Sequence, residues 1–169
     1  GVRGVGDEPR FGRVRSNSTS HRKRQREMRK VILLGNTSVG KTSLLQRFTA
    51  NEFAQTYKAT IGCDFTDKSL TVNGRATTLQ IWDTAGQERY HSLSASFYRG
   101  ADACVLVCAV DDASSLDALG KWLTDFKTIC DGAHAVLLLA NKCDLPPDKR
   151  QITSAQLHEW ARTHGCATP

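Results

Sequence analysis

VILLGNTSVGKTS, residues 31–43, is the stretch that decides how the rest of the chain is interpreted. Its first four residues are apolar and predict a buried strand, and residues 43–48 begin a helical pattern. Between them, the spacing Gly35-x-x-x-x-Gly40-Lys41-Thr42 is that of a P-loop, whose backbone N–H groups surround phosphate oxygens. The helix that follows adds its positive N-terminal end to the same anion. The alternative is a glycine-rich turn before an ordinary helix.

A P-loop assigns a role to each of its polar groups. Lys41 places a point charge on the outer phosphates, and the Thr42 hydroxyl is a ligand for Mg²⁺. Backbone groups around them complete the cradle. The residues expected to bind phosphate are Gly35, Ser38, Val39, Gly40, Lys41, Thr42 and Ser43.

Composition is typical of one soluble globular domain. The chain has 169 residues, of which 40% are hydrophobic and 24% are charged. No apolar run approaches the roughly 20 residues of a membrane span, and the first residues lack a secretory apolar region. The six cysteines show no C-x-x-C spacing, so we interpret them as reduced thiols of a cytosolic protein, not as metal ligands or disulfides.

The formal charge of +6 comes from the first residues of the chain. Residues 1–30 contain ten of the 23 basic residues and three of the 17 acidic ones, so the remainder is close to neutral. We expect residues 1–27 to be a disordered basic extension and residues 28–169 to form the globular domain. The cluster at residues 21–26 is either a solvated tail or a site for nucleic acid or an anionic membrane surface. A third hypothesis takes Met28, before the first strand, as the natural start.

Alternating strand and helix signals predict a doubly wound, mostly parallel α/β sheet. Residues 61–72 and 75–82 alternate around Asn73-Gly74, which predicts a type I′ hairpin. Residues 104–110 and 135–140 are apolar runs typical of buried strands, and residues 154–164 form the last helix. A helix capped by Ser114 or Ser115 precedes the second run. Its expected core residues are Leu116, Leu119, Trp122, Leu123, Phe126 and Cys130.

Polar residues follow the predicted strands at the edge where the P-loop lies. Asp83 ends an apolar strand and is placed to hold Mg²⁺, and Gly86-Gln87 follows it in a polar segment. Asn141, Lys142 and Asp144 come after the strand at residues 135–140. An Asp144 carboxylate can accept hydrogen bonds from N1–H and the exocyclic amine of guanine, which adenine does not offer. Asn141 can tie this loop to the P-loop, and the Lys142 stem can stack under the base.

These motifs together resemble the Rab branch of the Ras superfamily of small GTPases. The matching segments cover residues 29–169. They are GNTSVGKT, YKATIG (57–62), IGCDF (61–65), QIWDTAGQERY (80–90), FYRGAD (97–102) and NKCD (141–144). The combination most resembles the late-endosomal, lysosome-directed Rab.

The resemblance implies a role for each matching position. Thr60 closes on Mg²⁺ and the γ-phosphate, and Tyr57 covers the phosphates. Phe53 packs on guanine, Gly86 senses the γ-phosphate, and Gln87 orients the attacking water. The implied catalytic residues are Gln87, Lys41 and Thr60, and the implied metal ligands are Thr42, Thr60 and Asp83. Effectors would bind switch I, the segment that contains Thr60, switch II, the segment that contains Gly86, and the aromatic triad Phe65, Trp82 and Tyr98.

Three features depart from the family pattern. Thr37 and Ser38 stand where many relatives have small residues, so intrinsic hydrolysis is expected to be slower. Cys108-Ala109-Val110-Asp111 replaces the usual aromatic-Asp pair. The sequence stops before the sixth strand, the last helix and the prenylated tail, so we expect a C-terminally incomplete domain that binds nucleotide more weakly. Cys166 is not the first residue of a prenylation box.

The sequence thus predicts a GTP-binding and GTP-hydrolysing switch that uses Mg²⁺ and works with effectors, an exchange factor and an activating protein. No arginine lies between Phe48 and Gly74, so turnover should be slow without an activating protein. The implied location is the cytoplasm, cycling to endosomal and lysosomal membranes through the missing lipid anchor, with no specific nucleic acid bound. The alternatives are a non-catalytic guanine-nucleotide scaffold and nucleic-acid binding by the basic tail.

Overall fold

The computed structural model describes residue 1 and residues 27–53, 60, 62–84, 96–130 and 134–169. The predicted disordered extension therefore lies almost entirely outside the described residues. The strands are β1 (Glu27–Leu34), β2 (Cys63–Val72), β3 (Arg75–Thr84), β4 (Ala103–Ala109) and β5 (Ala135–Asn141). The α-helices are α1 (Lys41–Ala50), α2 (Ala113–Asp117), α3 (Leu119–Ile129) and α4 (Ser154–His164), with a 3₁₀ turn at Pro147–Lys149.

The described strands form one five-stranded sheet in the order β2-β3-β1-β4-β5. Strand β1 pairs in parallel with β3 and β4, and β4 pairs in parallel with β5. Among the described strands, only the pair β2 and β3 is antiparallel. The positive φ angles of Asn73 (49°) and Gly74 (73°) at its turn confirm the predicted type I′ geometry. This order brings the carboxyl ends of β1, β3, β4 and β5 to one edge of the sheet, where ligands bind in doubly wound folds.

The main core lies between the central strands and the helices α2, α3 and α4. Ile32, Leu106 and Leu119 have no exposed surface, and Leu138 retains 2%. The six residues predicted to form the apolar face from Leu116 to Cys130 are all buried in this cluster, which confirms their role as core residues. At the far side of β5, Ala167 forms an isolated parallel bridge with Leu137.

Three local expectations were wrong. Met28 does not precede the first strand but lies within it, since β1 begins at Glu27, one residue before the expected domain boundary. The cap of α2 is Asp112, whose carboxylate accepts the Ser115 N–H, so neither Ser114 nor Ser115 is the cap. The predicted single helix is also divided at Ala118 into α2 and α3. Asp112 is the cap because it immediately precedes the helix, after the turn at Val110 and Asp111, and its short carboxylate can accept from the N–H groups of the first turn.

All six cysteines are free thiols in the structure. Burial raises the pKa of Cys63 and of Cys108 to about 11, so both remain protonated at neutral pH. None of the helices in the described ranges has the length and hydropathy needed to cross a bilayer.

Candidate functional site

The P-loop forms the first wall of the site, and its two glycines leave no room for a side chain. Gly35 has φ of 144°, and a Cβ there would lie 2.2 Å from the carbonyl oxygen of Val107 on β4. Gly40 has φ of 94°, and a Cβ there would lie 2.2 Å from Nδ2 of Asn141. Both positions therefore require glycine for backbone conformation and for space. The loop can approach β4 and β5 this closely only with these residues.

Lys41 is the first residue of α1 and is almost fully buried. Its ammonium donates to the carbonyl oxygens of Gly35 and Asn36, each at 2.8 Å. Burial lowers the pKa of Lys41 to about 8, an effect that the nearby charge of Asp83 partly opposes. A buried cation held by two carbonyls of the loop is placed to receive the negative charge of a phosphate.

Three oxygen-bearing side chains that the sequence assigned to the metal meet beside Lys41. The Thr42 hydroxyl donates to Oδ2 of Asp83 at 2.6 Å and lies 2.7 Å from the Thr60 hydroxyl oxygen. Asp83 is 4% exposed, and its Oδ1 has no hydrogen-bond partner in the part of the chain that the structure describes. Burial raises the pKa of Asp83, while the Thr42 hydrogen bond and Lys41 lower it. Hard oxygen donors with an unpaired buried carboxylate oxygen fit Mg²⁺.

The loop after β5 forms the second wall. Asn141 Nδ2 donates to the Val39 carbonyl at 2.8 Å, which is the predicted tie between this loop and the P-loop. Lys142 has φ of 64°, and its ammonium pairs with Asp111 Oδ2 at 3.1 Å. Asp144 is exposed two residues further along. The structure thus brings the predicted phosphate and base loops into direct contact.

Other predicted site residues are only partly placed. Phe53 is 61% exposed just beyond α1, and Ser38 is exposed with a positive φ of 60°. Tyr57, Gly86 and Gln87 lie outside the described residues. Their roles, and the effect of Thr37 and Ser38 on turnover, stay predictions.

The prediction of an aromatic triad at the surface was wrong for one of its three residues. Tyr98 is 1% exposed and packs against Phe126 in the core, so its ring cannot meet a partner at the surface. Phe97, the preceding residue, contacts Trp82 with ring centroids 6.1 Å apart. Phe65 stacks on the same tryptophan at 5.2 Å and is half exposed. The contiguous aromatic surface is therefore Phe65, Trp82 and Phe97.

Sequence reasoning missed three residues that shape the site. Asn36 lies in the P-loop, and its Oδ1 accepts the Trp122 Nε1–H of α3 at 3.1 Å. Asp111 pairs with Lys142, and the Arg150 guanidinium donates to two carbonyls of the loop after β5. In the sequence, Asp111 belongs to the segment Cys108-Ala109-Val110-Asp111, whose only signal is its departure from the family pattern. No local signal marked Arg150.

Comparison with known proteins gives the family. Residues 30–168 match the Ras family. The chain is 46% identical to the Ras-related protein RABG3b of Arabidopsis thaliana over 84% of this chain and 72% of that protein. It is 45% identical to Ras-related protein Rab7 of Drosophila melanogaster, over 83% of this chain and 69% of that protein. It is 42% identical to Ypt/Rab-type GTPase YPT7 of Saccharomyces cerevisiae, over 84% of this chain and 71% of that protein.

The chain belongs to the Ras family, and the fold is that of its G domain. Within that family it is a Rab-type GTPase that binds GTP or GDP with Mg²⁺ and hydrolyses GTP. The expectation of an enzyme, not a non-catalytic scaffold, is confirmed. Proteins of this type work with effectors, exchange factors and activating proteins.

Substitution of Gly40 by alanine should disrupt the contact between the two loops. The added Cβ meets Asn141 Nδ2 and the φ of 94° is unfavourable, so we expect GDP affinity to fall by about ten- to hundredfold. Calorimetric titration with GDP measures this. Gly165→Ala is the matched control, because Gly165 also has a positive φ (67°) but has open space around it. An affinity for GDP that is equal in both variants would contradict the role given to Gly40.

The lowered pKa of Lys41 predicts a pH dependence of nucleotide binding. Below pH 8 the ammonium is charged and pairs with phosphate, and above pH 8 the free protein loses this proton. Affinity for GDP should therefore fall by up to about tenfold per pH unit above 8, and binding at pH 8.5 should take up a proton. Calorimetry in buffers of different ionisation enthalpy measures that uptake. Proton release, or a flat affinity from pH 7 to 9, would rule out this assignment.

Proposed function

We propose that the chain is a Rab-type switch of late-endosomal and lysosomal vesicle traffic in which Thr42, Thr60 and Asp83 report the state of the nucleotide. The observation that carries this proposal is the convergence of the three side chains. The hydroxyl of Thr42 in the P-loop lies within hydrogen-bond distance of two groups, the Thr60 hydroxyl before β2 and the Asp83 carboxylate at the end of β3. Because the three residues lie far apart in the sequence, their contact in the fold supports a shared role at the metal.

The chemistry divides between the phosphate loop and the residues that face it. Thr42, Thr60 and Asp83 would hold Mg²⁺, which would supply positive charge to the phosphates. Lys41 keeps its charge on the outer phosphates, and the Gly86 N–H senses the γ-phosphate. Gln87 orients the attacking water, since an amide can both donate to it and accept from it. Hydrolysis removes the group that holds Thr60, which releases the segment around it.

The base is selected at the other wall of the site. Asp144 accepts hydrogen bonds from guanine, Lys142 lies along the base, and Phe53 packs on its other face. The tie from Asn141 to Val39 supports this division, because it fixes the distance between the base loop and the phosphate loop. An adenine nucleotide would leave the Asp144 carboxylate facing an unsuitable edge.

Effectors recognise the GTP-bound state through the switch segments and the aromatic surface of Phe65, Trp82 and Phe97. The half-exposed ring of Phe65 stacked on Trp82 supports this, because exposed aromatic pairs supply contact area at low entropic cost. Similarity to proteins named Rab7 and RABG3b supports endosomal, lysosomal or vacuolar membranes as the place of action.

Substitution of Gln87 by leucine separates hydrolysis from binding. Leucine fills a similar volume but cannot orient water, so single-turnover phosphate release from GTP should fall at least about tenfold while GTP affinity changes less than about threefold. Thr42→Asn is the contrasting variant, since it should weaken Mg²⁺-dependent GTP binding. Unchanged phosphate release by the Gln87→Leu protein would refute the role of this glutamine.

A further inference from the structure

The loop that carries Asp144 is held from outside by Arg150. We propose that Arg150 is a positioning residue for guanine recognition, which acts by fixing the backbone on which the Asp144 carboxylate is mounted. The inference rests on the proposed role of Asp144 in reading the base. It adds a specificity-determining residue that lies outside the phosphate and base motifs.

The contact is a two-point clamp on backbone carbonyls. Arg150 Nη2 donates to the Cys143 carbonyl at 2.6 Å, and Arg150 Nε donates to the Leu145 carbonyl at 2.8 Å. These carbonyls belong to the residues on either side of Asp144. A guanidinium presents its donors in a rigid plane, so two such bonds fix the relative orientation of the two peptide groups.

The loop needs this support because its backbone is not intrinsically favoured. Lys142 opens it in the left-handed region with φ of 64°, which costs a residue with a Cβ about 1 kcal/mol or more. The Leu145 N–H donates to the Lys142 carbonyl at 3.1 Å and closes a turn over residues 142–145. Asp144 is exposed on this turn, so the turn's backbone fixes the position of its Cβ and thereby the region that its carboxylate can reach.

Arg150 is itself anchored to the sheet. The N–H groups of Gln151 and Ile152 both donate to the Val110 carbonyl, at 2.7 and 3.1 Å. The Ile152 side chain is 4% exposed in the core. The backbone just after Arg150 is therefore fixed to Val110, the residue that follows β4. Because the Arg150 side chain bonds to the turn, it holds the turn at a set distance from this fixed backbone.

A second tie acts on the first residue of the turn. Lys142 pairs with Asp111 at 3.1 Å, and Asp111 lies in the turn that follows β4. The base loop after β5 is thus held to its neighbouring strand by an ion pair at its start and by the Arg150 clamp around Asp144. The ion pair is one-third exposed, and the two bonds of the clamp also lie at the surface, so the clamp differs by its placement on both sides of Asp144 and not by burial.

The experiment measures discrimination between GDP and inosine diphosphate. Inosine diphosphate lacks the exocyclic amine but keeps N1–H, so the ratio of its dissociation constant to that of GDP reports whether Asp144 reaches the amine. Arg150→Gln should lower this ratio by about three- to tenfold, the effect of losing one well-placed hydrogen bond. Arg150→Lys keeps the positive charge but lacks the planar set of guanidinium donors, so it should lower the ratio of dissociation constants by a smaller factor.

Arg162→Gln is the matched control, because Arg162 is an exposed arginine on α4 that pairs only with Glu159 among the described residues. In Arg162→Gln, the ratio of the dissociation constant of inosine diphosphate to that of GDP should equal the ratio in the unaltered chain. If Arg150→Gln weakens GDP and inosine diphosphate equally, the arginine has a purely structural role and the inference is overturned. If Arg150→Gln does not fold, an unchanged ratio in Arg150→Lys overturns it as well.

Asp144→Ala separates the inference from the function on which it rests. This variant should abolish the preference for GDP over inosine diphosphate. If the preference persists in Asp144→Ala, the proposed role of Asp144 fails. If it disappears there but is unchanged in both Arg150 variants, only the role of Arg150 fails.

Discussion

The site depends on one hydrogen bond, from Asn141 Nδ2 to the Val39 carbonyl at 2.8 Å. The P-loop follows β1 and the base loop follows β5, and β4 lies between these two strands in the sheet. Without a direct contact, the separation of the two loops would be set only by the positions of β1 and β5 in the sheet. The amide fixes their separation, and Gly40 makes the approach possible because a Cβ would lie 2.2 Å from that nitrogen.

The site contains two buried groups of opposite charge. Lys41 is a buried cation that donates to two loop carbonyls, and Asp83 is a buried acid with one unpaired oxygen among the described residues. Burial lowers the pKa of Lys41 and raises that of Asp83, so burial disfavours the charged form of each group. A phosphate beside Lys41 and a divalent cation beside Asp83 relieve both costs. Ligand binding is therefore linked to the stability of this edge of the sheet.

Local chemistry made much of the fold predictable. The hairpin at Asn73-Gly74 and the last helix, Ser154–His164, follow from turn preference and side-chain periodicity, which neighbouring residues decide. The Asn141 tie was predictable because Asn141 follows a predicted strand that ends at the same edge of the sheet as the P-loop. Tyr98 and Arg150 were not, since their positions depend on packing between segments distant in sequence. Adjacent aromatics such as Phe97 and Tyr98 carry no sign of which one faces the core.

Single-turnover phosphate release, measured with GTP and with ATP in the presence of Mg²⁺, is the most direct test that these loops form one guanine-nucleotide hydrolase site. We expect slow release from GTP and none from ATP, with GTP turnover raised about 10³- to 10⁵-fold by an activating protein that supplies an arginine. Equal release from ATP, or GTP binding without phosphate release even with an activating protein, would contradict it.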